Sequence, residues 1–522
     1  MAKITPLELE KKLQERFSEG FHKLSDLADP LSLIDIEKGA KRLQKAIENR
    51  EKIAIVGDYD VDGVVSTAIM LDFFSQISVP VKHIIPNRFM DGYGVSAQII
   101  ERLDADVVIT VDNGINAFDA ATVAKKRGID LIITDHHTPS HSLPDAYCVI
   151  NPKREDCNFK HQEICGAQVA WFFIAAVKKV MQLEIKMQSF LDLLALAIIA
   201  DVMPLTEINR TLVQAGLKSI AASQRPAFKA LRIFLEKKSL KAEDIAFQIA
   251  PRINSAGRME DASIALAFLN AKDENSAMAQ LLKLDSLNQI RKETEQEITQ
   301  EAISIANSDD SVIVVANENW HEGVIGIVAS RLVHYYEKPA FVLSIEEGRA
   351  KGSGRSIGNI DLYELLDESS EHLLGFGGHK MAAGLALQEQ NIDKFRELLN
   401  LSAKKYSKED FIPTSETMGE LDFQYLTLDL LNMLEKFEPY GEANPKPRFH
   451  LTKASIMAVR RMGQNSEHVK YSVQSDGRVM DVLAFRHETT LKKGDELSCI
   501  YTVNKNSFRG ETNVQLLLEK LI

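Results

Sequence analysis

The chain has 522 residues, too many for one ordinary hydrophobic core, so it should divide into roughly three or four domains. Apolar residues make up 45% and charged residues 26%, the balance of a folded chain, and the absence of low-complexity tracts excludes extended disorder. A formal net charge of -12 excludes a protein that coats nucleic acid by bulk attraction, but it leaves room for a nuclease that gathers carboxylates at a metal site and keeps a local basic channel.

In chain order, the N-terminus (MAKITPLELEKKLQERF) is charged from its third residue and carries no targeting segment, and residues 1–45 read as an N-terminal helical segment. Residues 46–205 alternate short β-rich runs (IAIVG, VKHIIP, DVVITVD, LIITD, AYCVIN) with helical stretches, the pattern of a parallel sheet wrapped by helices. The most apolar run, residues 190–203 (FLDLLALAIIADVM), holds two aspartates and falls short of the roughly 20 residues a bilayer requires, so no membrane association is expected. Cys148, Cys157, Cys165 and Cys499 make neither a disulfide framework nor a zinc spacing, although three lie near His161. Structural thiols in a reducing cytoplasm are the expectation.

Residues 206–307 are predicted helical. Their last stretch, 273–307, has neither Gly nor Pro and would form a helix roughly 50 Å long, able to join two lobes across a groove. A second α/β unit spans residues 308–408, with glycines clustered in KGSGRSIGN and GFGGHKMAAG. Residues 409–522 change to five short strands without intervening helices, read as an antiparallel barrel of the OB type, a common oligonucleotide-binding scaffold. The fold class is therefore multidomain α/β with a long connecting helix and a C-terminal β-barrel.

The carboxylates sit where strands end. IAIVG runs into Asp58-Tyr59-Asp60-Val61-Asp62-Gly63, DVVITV into Asp112-Asn113-Gly114, and LIIT into Asp135-His136-His137. Ligands of open parallel sheets bind just beyond such ends, so five aspartates and two histidines converge. Asp201 ends the apolar run ALAIIAD and would join them, since a buried lone carboxylate needs something positive nearby. Any one of these aspartates would ordinarily be a helix cap or turn former. That role does not account for Asp58, Asp60 and Asp62 alternating within five residues, where repulsion calls for a cation. Carboxylates with imidazole suit Mn²⁺ or Mg²⁺, two ions of which can clamp a phosphoester.

Asp60-x-Asp62-Gly63, Asp112-x-Gly114, Asp135-His136-His137 and Asp201 resemble the four successive motifs of the DHH phosphoesterases. The resemblance implies that Asp60, Asp62, Asp112, His136 and Asp201 bind two metal ions and carry the catalysis, with Asp112 as bridge. His137 would touch substrate phosphate or support the site. Many relatives place a histidine four residues before the first metal-binding Asp. Val56 stands there, as in the RecJ branch of the superfamily, with Asp58 compensating as direct ligand or from behind the ligands.

Two glycine-rich segments, Gly352-Ser353-Gly354-Arg355-Ser356 and Gly375-Phe376-Gly377-Gly378-His379, would offer unobstructed backbone N–H groups to phosphate. With Met381-Ala382-Ala383-Gly384, the second matches the G-G-H-x-x-A-A-G signature of the DHH-associated domain, which implies that His379 and Arg355 reach nucleotide phosphate. Segments 85–94 and 251–259 resemble RecJ-branch stretches and read as loop-like. By that resemblance Arg88, Ser353 and Arg355 form a pocket for a 5′-terminal phosphate, and Arg258 and Arg252 hold the backbone further along. Surface ion pairs are the ordinary role of any one of these arginines.

The resemblance runs from about residue 30 to the C-terminus and implies a single-stranded-DNA exonuclease of 5′ to 3′ polarity, with single-strand-binding protein and a helicase as associates by analogy. The chain ends after the fifth barrel strand, so the extra C-terminal domain of longer members is not expected. Two rivals stand beside this reading. One is a DHH enzyme for short oligonucleotides or cyclic dinucleotides, which would need neither barrel nor long helix. The other is a non-catalytic DNA-binding relative, against which every expected ligand position is occupied.

Overall fold

A computed structural model describes residues 3–522 apart from 19, 414–415, 464–465, 486 and 509–510, and side chains other than those of 507, 508 and 511. The first sheet has the order β2-β1-β3-β4-β5, built from Ile53–Val56 (β1), Lys82–Ile84 (β2), Val107–Val111 (β3), Asp130–Thr134 (β4) and Cys148–Ile150 (β5), all parallel. Successive side chains of a strand point to opposite faces. Ile53, Ile55, Val107 and Ile109 accordingly join the larger core on one face, while Ala54, Val56 and Val108 join a separate core on the other. Two covered faces explain why these strands read as continuous apolar runs.

The helix Glu274–Ile305 follows Asp273, whose carboxylate caps Ser276 N. Its buried positions Ala277, Leu281, Leu284, Asn288, Glu295, Ile298 and Ala302 make one stripe at helical spacing. Glu295 is tolerated there because Arg291 and Arg331 reach it at 2.9 and 2.7 Å. The helix delivers the chain to a second sheet of order β6-β7-β8-β10-β9, made of Ile313–Asn317 (β6), Ala340–Glu346 (β7), Arg349–Arg355 (β8), Leu373–His379 (β9) and Ala382–Gln388 (β10). Among the described residues no helix is long and apolar enough to cross a membrane.

Four expectations are corrected. Segment 251–259 is not a loop: Ala250–Met259 is α-helical and continues a π-helical turn, Ile245–Ile249. Pro251 follows that π-helical turn directly, the kind of local irregularity at which a helix accommodates the N–H that proline lacks. Both glycine clusters lie in strands: the first in β8, whose backbone N–H groups the sheet takes up, and the second in β9, an edge strand that keeps one side open. β8 is paired on both sides, and its glycines serve packing, since a Cβ at Gly354 would lie 2.4 Å from the Phe341 ring.

The expected five-stranded barrel is present and closed, but its strands are not all short: it comprises Arg448–Met462 (β11), His468–Ser475 (β12), Arg478–Ala484 (β13), Glu496–Phe508 (β14) and Glu511–Leu521 (β15). One of its pairs, β13 with β15, is parallel: β15 returns alongside β13 in the same direction to complete the ring. The N-terminal segment, finally, divides between two domains. Ile4, Leu9, Leu13 and Phe17 share one core with Leu431, Leu434, Phe449 and Tyr501 of the C-terminal domain, whereas Ile36, Ala40 and Leu43 belong to the first domain. Nothing local marks such a pairing between the two ends of the chain.

Leu13 is fully buried in that shared core. Leu13→Ala should therefore destabilise the barrel by ~2–5 kcal/mol. Hydrogen exchange over β11–β15 reads this directly, and unchanged protection there would remove the N-terminal helix from the barrel's core.

Candidate metal centre

β1 and β3 are adjacent, yet β1 leads out to β2 on one side and the chain returns to β3 on the other. Loops part above such a point and leave a crevice beyond the strand ends. Asp58, Asp60 and Asp62 follow β1 and Asp112 follows β3, so the topology alone gathers four carboxylates.

Local bonds then orient each one. Asp60 caps the helix Val61–Gln76, accepting from Gly63 N at 3.1 Å. Asp62, buried in the first turn of that helix, accepts from Gly166 N at 2.6 Å and Ala167 N at 2.9 Å, the first amides of the helix Gly166–Met181. A helix N-terminus is favourable for an anion. Residue 166 must be glycine, because a Cβ there would stand 2.4 Å from Asp112 Oδ1. Asp112 itself adopts φ +62°, a left-handed conformation that Asp tolerates better than most residues. Asn113 pins this turn by donating to the Val56 and Val111 carbonyls and accepting from Val95 N.

His136 Nε2 lies 3.2 Å from Asp112 Oδ1, 3.7 Å from Asp201 Oδ2 and 3.8 Å from Asp62 Oδ2. Among the described residues three sets offer ligand atoms within 4.8 Å of one another: Asp58, Asp60 and Asp112; Asp62, His136 and Asp201; and Asp112, His136 and His137. Asp112 and His136 each serve in two sets. Asp135 serves in none, since its oxygens accept from the backbone N–H of His136 and His137, from His137 Nδ1 at 2.7 Å and from Ile115 N. It is a buttress for the two histidines.

The electrostatics are those of a site built for cations. Burial and then the neighbouring carboxylates push Asp58 and Asp112 well above the usual range, and the same two causes raise Asp201 to about 9. Oxygens of Asp58, Asp112 and Asp201 are buried without hydrogen-bond partners. Such groups cost free energy unless something positive satisfies them, so the donor set fits hard divalent ions. Burial keeps the His136 pKa low, hence the ring neutral, the form that ligates metal. Burial acts the same way on His137, but the Asp135 carboxylate outweighs it and raises that ring to about 9. His137 is thus a partly exposed cation beside the carboxylates, with Tyr93 Oη 3.4 Å from its Nε2.

A basic cluster stands beside the acidic one. The Arg88 guanidinium lies 4.0 Å over the Tyr59 ring and donates to the Gly257 carbonyl. Arg258 donates to the Gly323 carbonyl of the second α/β unit, and burial together with Arg88 lowers its pKa to about 10. Arg355 Nη1 donates to Ser353 Oγ at 3.0 Å, and a Cβ at Gly326, near the start of the helix Ile325–Tyr336, would meet both side chains. The register Arg355–Ala382–His379 across β8, β10 and β9 sets exposed His379 two strands, ~10 Å, from Arg355. Arg252 does not join the cluster: it pairs with Asp285 at 2.8 Å and with the Gln248 carbonyl, and covers Phe234.

Several contributors escaped the sequence reading. Gly166 opens an apolar helix, a local signal that was available. Asn254, which accepts from Val61 N, and His321, whose ring meets Phe89 edge-on at 5.5 Å, act across domains and leave no local signal.

Family models match in three places: the DHH family N-terminal domain over residues 52–198, the DHHA1 domain over 309–405 and the RecJ OB domain over 418–520. The single-stranded-DNA-specific exonuclease RecJ of Bacillus subtilis is 35% identical over 95% of this chain, which spans 64% of that relative's length. The enzyme of the same name from Haemophilus influenzae is 33% identical, with 95% of this chain and 92% of the relative covered. A crystal structure of RecJ in complex with Mn²⁺ from Thermus thermophilus superposes with a TM-score of 0.83 at 30% identity, over 94% of this chain and 72% of that one. With three domain matches in order and homology over nearly its full length, this chain belongs to the RecJ family of DHH phosphoesterases.

Proposed function

We propose that this chain is an exodeoxyribonuclease that hydrolyses single-stranded DNA from a 5′ end with two Mn²⁺ or Mg²⁺ ions. The observation that carries the reading is the apposition of Asp58, Asp60, Asp62, Asp112, His136 and Asp201 with Arg88, Arg258, Ser353 and Arg355. One cluster needs cations and the other needs an anion, and a phosphodiester bound with metal satisfies both. The likeness to the RecJ relatives supports DNA as substrate and cytoplasmic repair and recombination as setting, where single-strand-binding protein and a helicase are fitting associates. A short-oligonucleotide substrate would leave the barrel and the long helix without purpose.

Asp60, Asp62, Asp112, His136 and Asp201 would hold the ions, with Asp58 beside them. When bound, the ions supply Lewis acidity and activate the attacking water. Protonated His137 can donate to a phosphate oxygen, and Asp135 keeps it charged. Arg355 and Ser353, next to the start of the Ile325–Tyr336 helix, can hold a terminal phosphate in a site that already favours anions. Arg88, stacked on Tyr59, closes that pocket from the first domain.

Asp112→Ala should reduce digestion of end-labelled single strands by more than the ~10–100-fold typical of changes behind the metal ligands, with DNA binding largely retained. Near wild-type turnover in added Mn²⁺ would refute the two-metal reading.

Arg355→Ala removes charge-assisted bonds available only to a terminal phosphate, so it should penalise a 5′-phosphorylated strand roughly ten- to a hundredfold more than its 5′-hydroxyl counterpart. An equal loss on both substrates would reassign Arg355 to general backbone contact.

A further inference from the structure

The helical run from Ala242 to Met259 bridges the barrel and the metal centre. At its start, Lys241 and Glu243 meet Glu438 and Lys446 of the C-terminal domain across a cavity of about 590 Å³ that Phe485 also lines. At its far end, Asn254 accepts from Val61 N beside Asp60, Gly257 lies against the Tyr59 backbone and Arg258 joins the basic cluster. Positions 243, 247, 251, 254 and 258 recur at helical spacing and form the less buried stripe of the run, opposite buried Ile245, Ile249, Ile253 and Ala256.

Phe247 stands midway along that stripe and is 79% exposed. A phenylalanine left so open in a structured segment is unusual, and it sits within a π-helical turn, a geometry often found at functional sites. It lies about 10 Å along the helix axis from Asn254, given a rise of ~1.5 Å per residue. Phe485, 58% exposed, marks the barrel end of the same track.

We propose that Phe247 is a base-stacking platform for the single strand, placed between the barrel cleft and the metal centre. The inference rests on the exonuclease reading and adds the route the strand takes. An exposed ring on this less buried helical stripe, which starts beside Lys446 and ends at Arg258, can accept the face of any base, so it holds the strand without reading sequence. Duplex DNA would not use it, since its bases are already stacked and their faces are covered.

The test compares Phe247→Ala, Phe247→Leu and Phe247→Tyr on a long 5′-phosphorylated single strand and on a 5′-phosphorylated dinucleotide too short to reach residue 247. Loss of the ring in the Ala and Leu variants should weaken binding of the long strand roughly five- to a hundredfold. The Tyr variant should bind like wild type, and dinucleotide turnover should not change in any of them. Because the ring is neutral, the slope of log affinity against log salt should also stay unchanged. An abasic unit walked along the strand should reproduce the loss at one position in wild type and add nothing in Phe247→Ala. Equal loss on the dinucleotide, full retention by Phe247→Leu, or unaltered binding by Phe247→Ala would each overturn the proposal. Failure of wild type to bind or digest single strands would instead overturn the exonuclease reading, and this inference with it.

Discussion

Everything in the first domain is arranged around like charges that are held together out of water. Asp58, Asp62 and Asp112 are all nearly inaccessible, and Asp60 and Asp201 close the ring. Without a cation this arrangement is unstable, and the raised pKa values record first the burial of these groups and then their mutual repulsion. The fold offsets part of the cost with its own partial charges. Asp62 takes the first two amides of the Gly166–Met181 helix, Asp60 caps its own helix, and Asp135 holds a protonated His137 at the rim. The remaining lone pairs are left free, and those are the ones a metal can use.

A second imbalance of opposite sign stands beside the first. Arg258 is driven down toward about 10 by burial and by Arg88, so the basic cluster is itself under-compensated. Among the described residues the two clusters form no ion pair with each other: the hydrogen bonds of Arg88, Arg258 and Arg355 run to the Gly257, Gly323 and Gly354 carbonyls, and of Arg355 also to Ser353. Each arginine is thereby oriented without its charge being cancelled. A net charge of -12 over the whole chain is compatible with this, because the attraction that matters for a phosphate acts within a Debye length of ~10 Å.

The parts of this design visible in the sequence were the local ones. Short apolar runs marked the five parallel strands, and the three of them that run into Asp marked most of the candidate metal residues, because strand period and strand-end chemistry are both short-range. The Gly- and Pro-free stretch likewise revealed the 32-residue connecting helix. What escaped depended on tertiary context. Segment 251–259 looked like a loop because of Pro251 and Gly257, yet Gly257 is there so that the helix can approach the Tyr59 carbonyl, to which a Cβ would stand at 2.4 Å. Arg252 looked like a DNA contact because of its neighbours, but its fork faces Asp285. The glycines of β8 suggested free backbone N–H groups for phosphate and instead make room for Leu343, Leu385 and Phe341. In the barrel, alternation could not say which aromatics face inward: Tyr471 and Tyr501 are core, Phe485 is exposed, and the Phe508 side chain, like the basic residue Arg486, lies outside the described residues. Arg460 and Arg461 are exposed on β11, whereas Lys470 is paired with Asp481.

The junction between the two α/β units bears on how a substrate can reach the metals. The long helix fixes their separation, and close to the site they interlock through backbone: a Cβ at Gly323 would stand 2.1 Å from the Arg258 carbonyl, while Arg258 in turn donates to the Gly323 carbonyl. Phe89 against His321 adds a ring contact at the same seam. Backbone packed this closely leaves little room for a hinge, since opening would break a hydrogen bond and separate matched surfaces. A strand must then be threaded past the seam, not clasped by closing lobes. Threading requires a free end, and the pocket proposed at Arg88, Ser353 and Arg355 lies beside the candidate metal ligands, where such an end would arrive. On the exonuclease reading, the close packing of this junction favours action from an end in addition to the chemistry of a terminal phosphate.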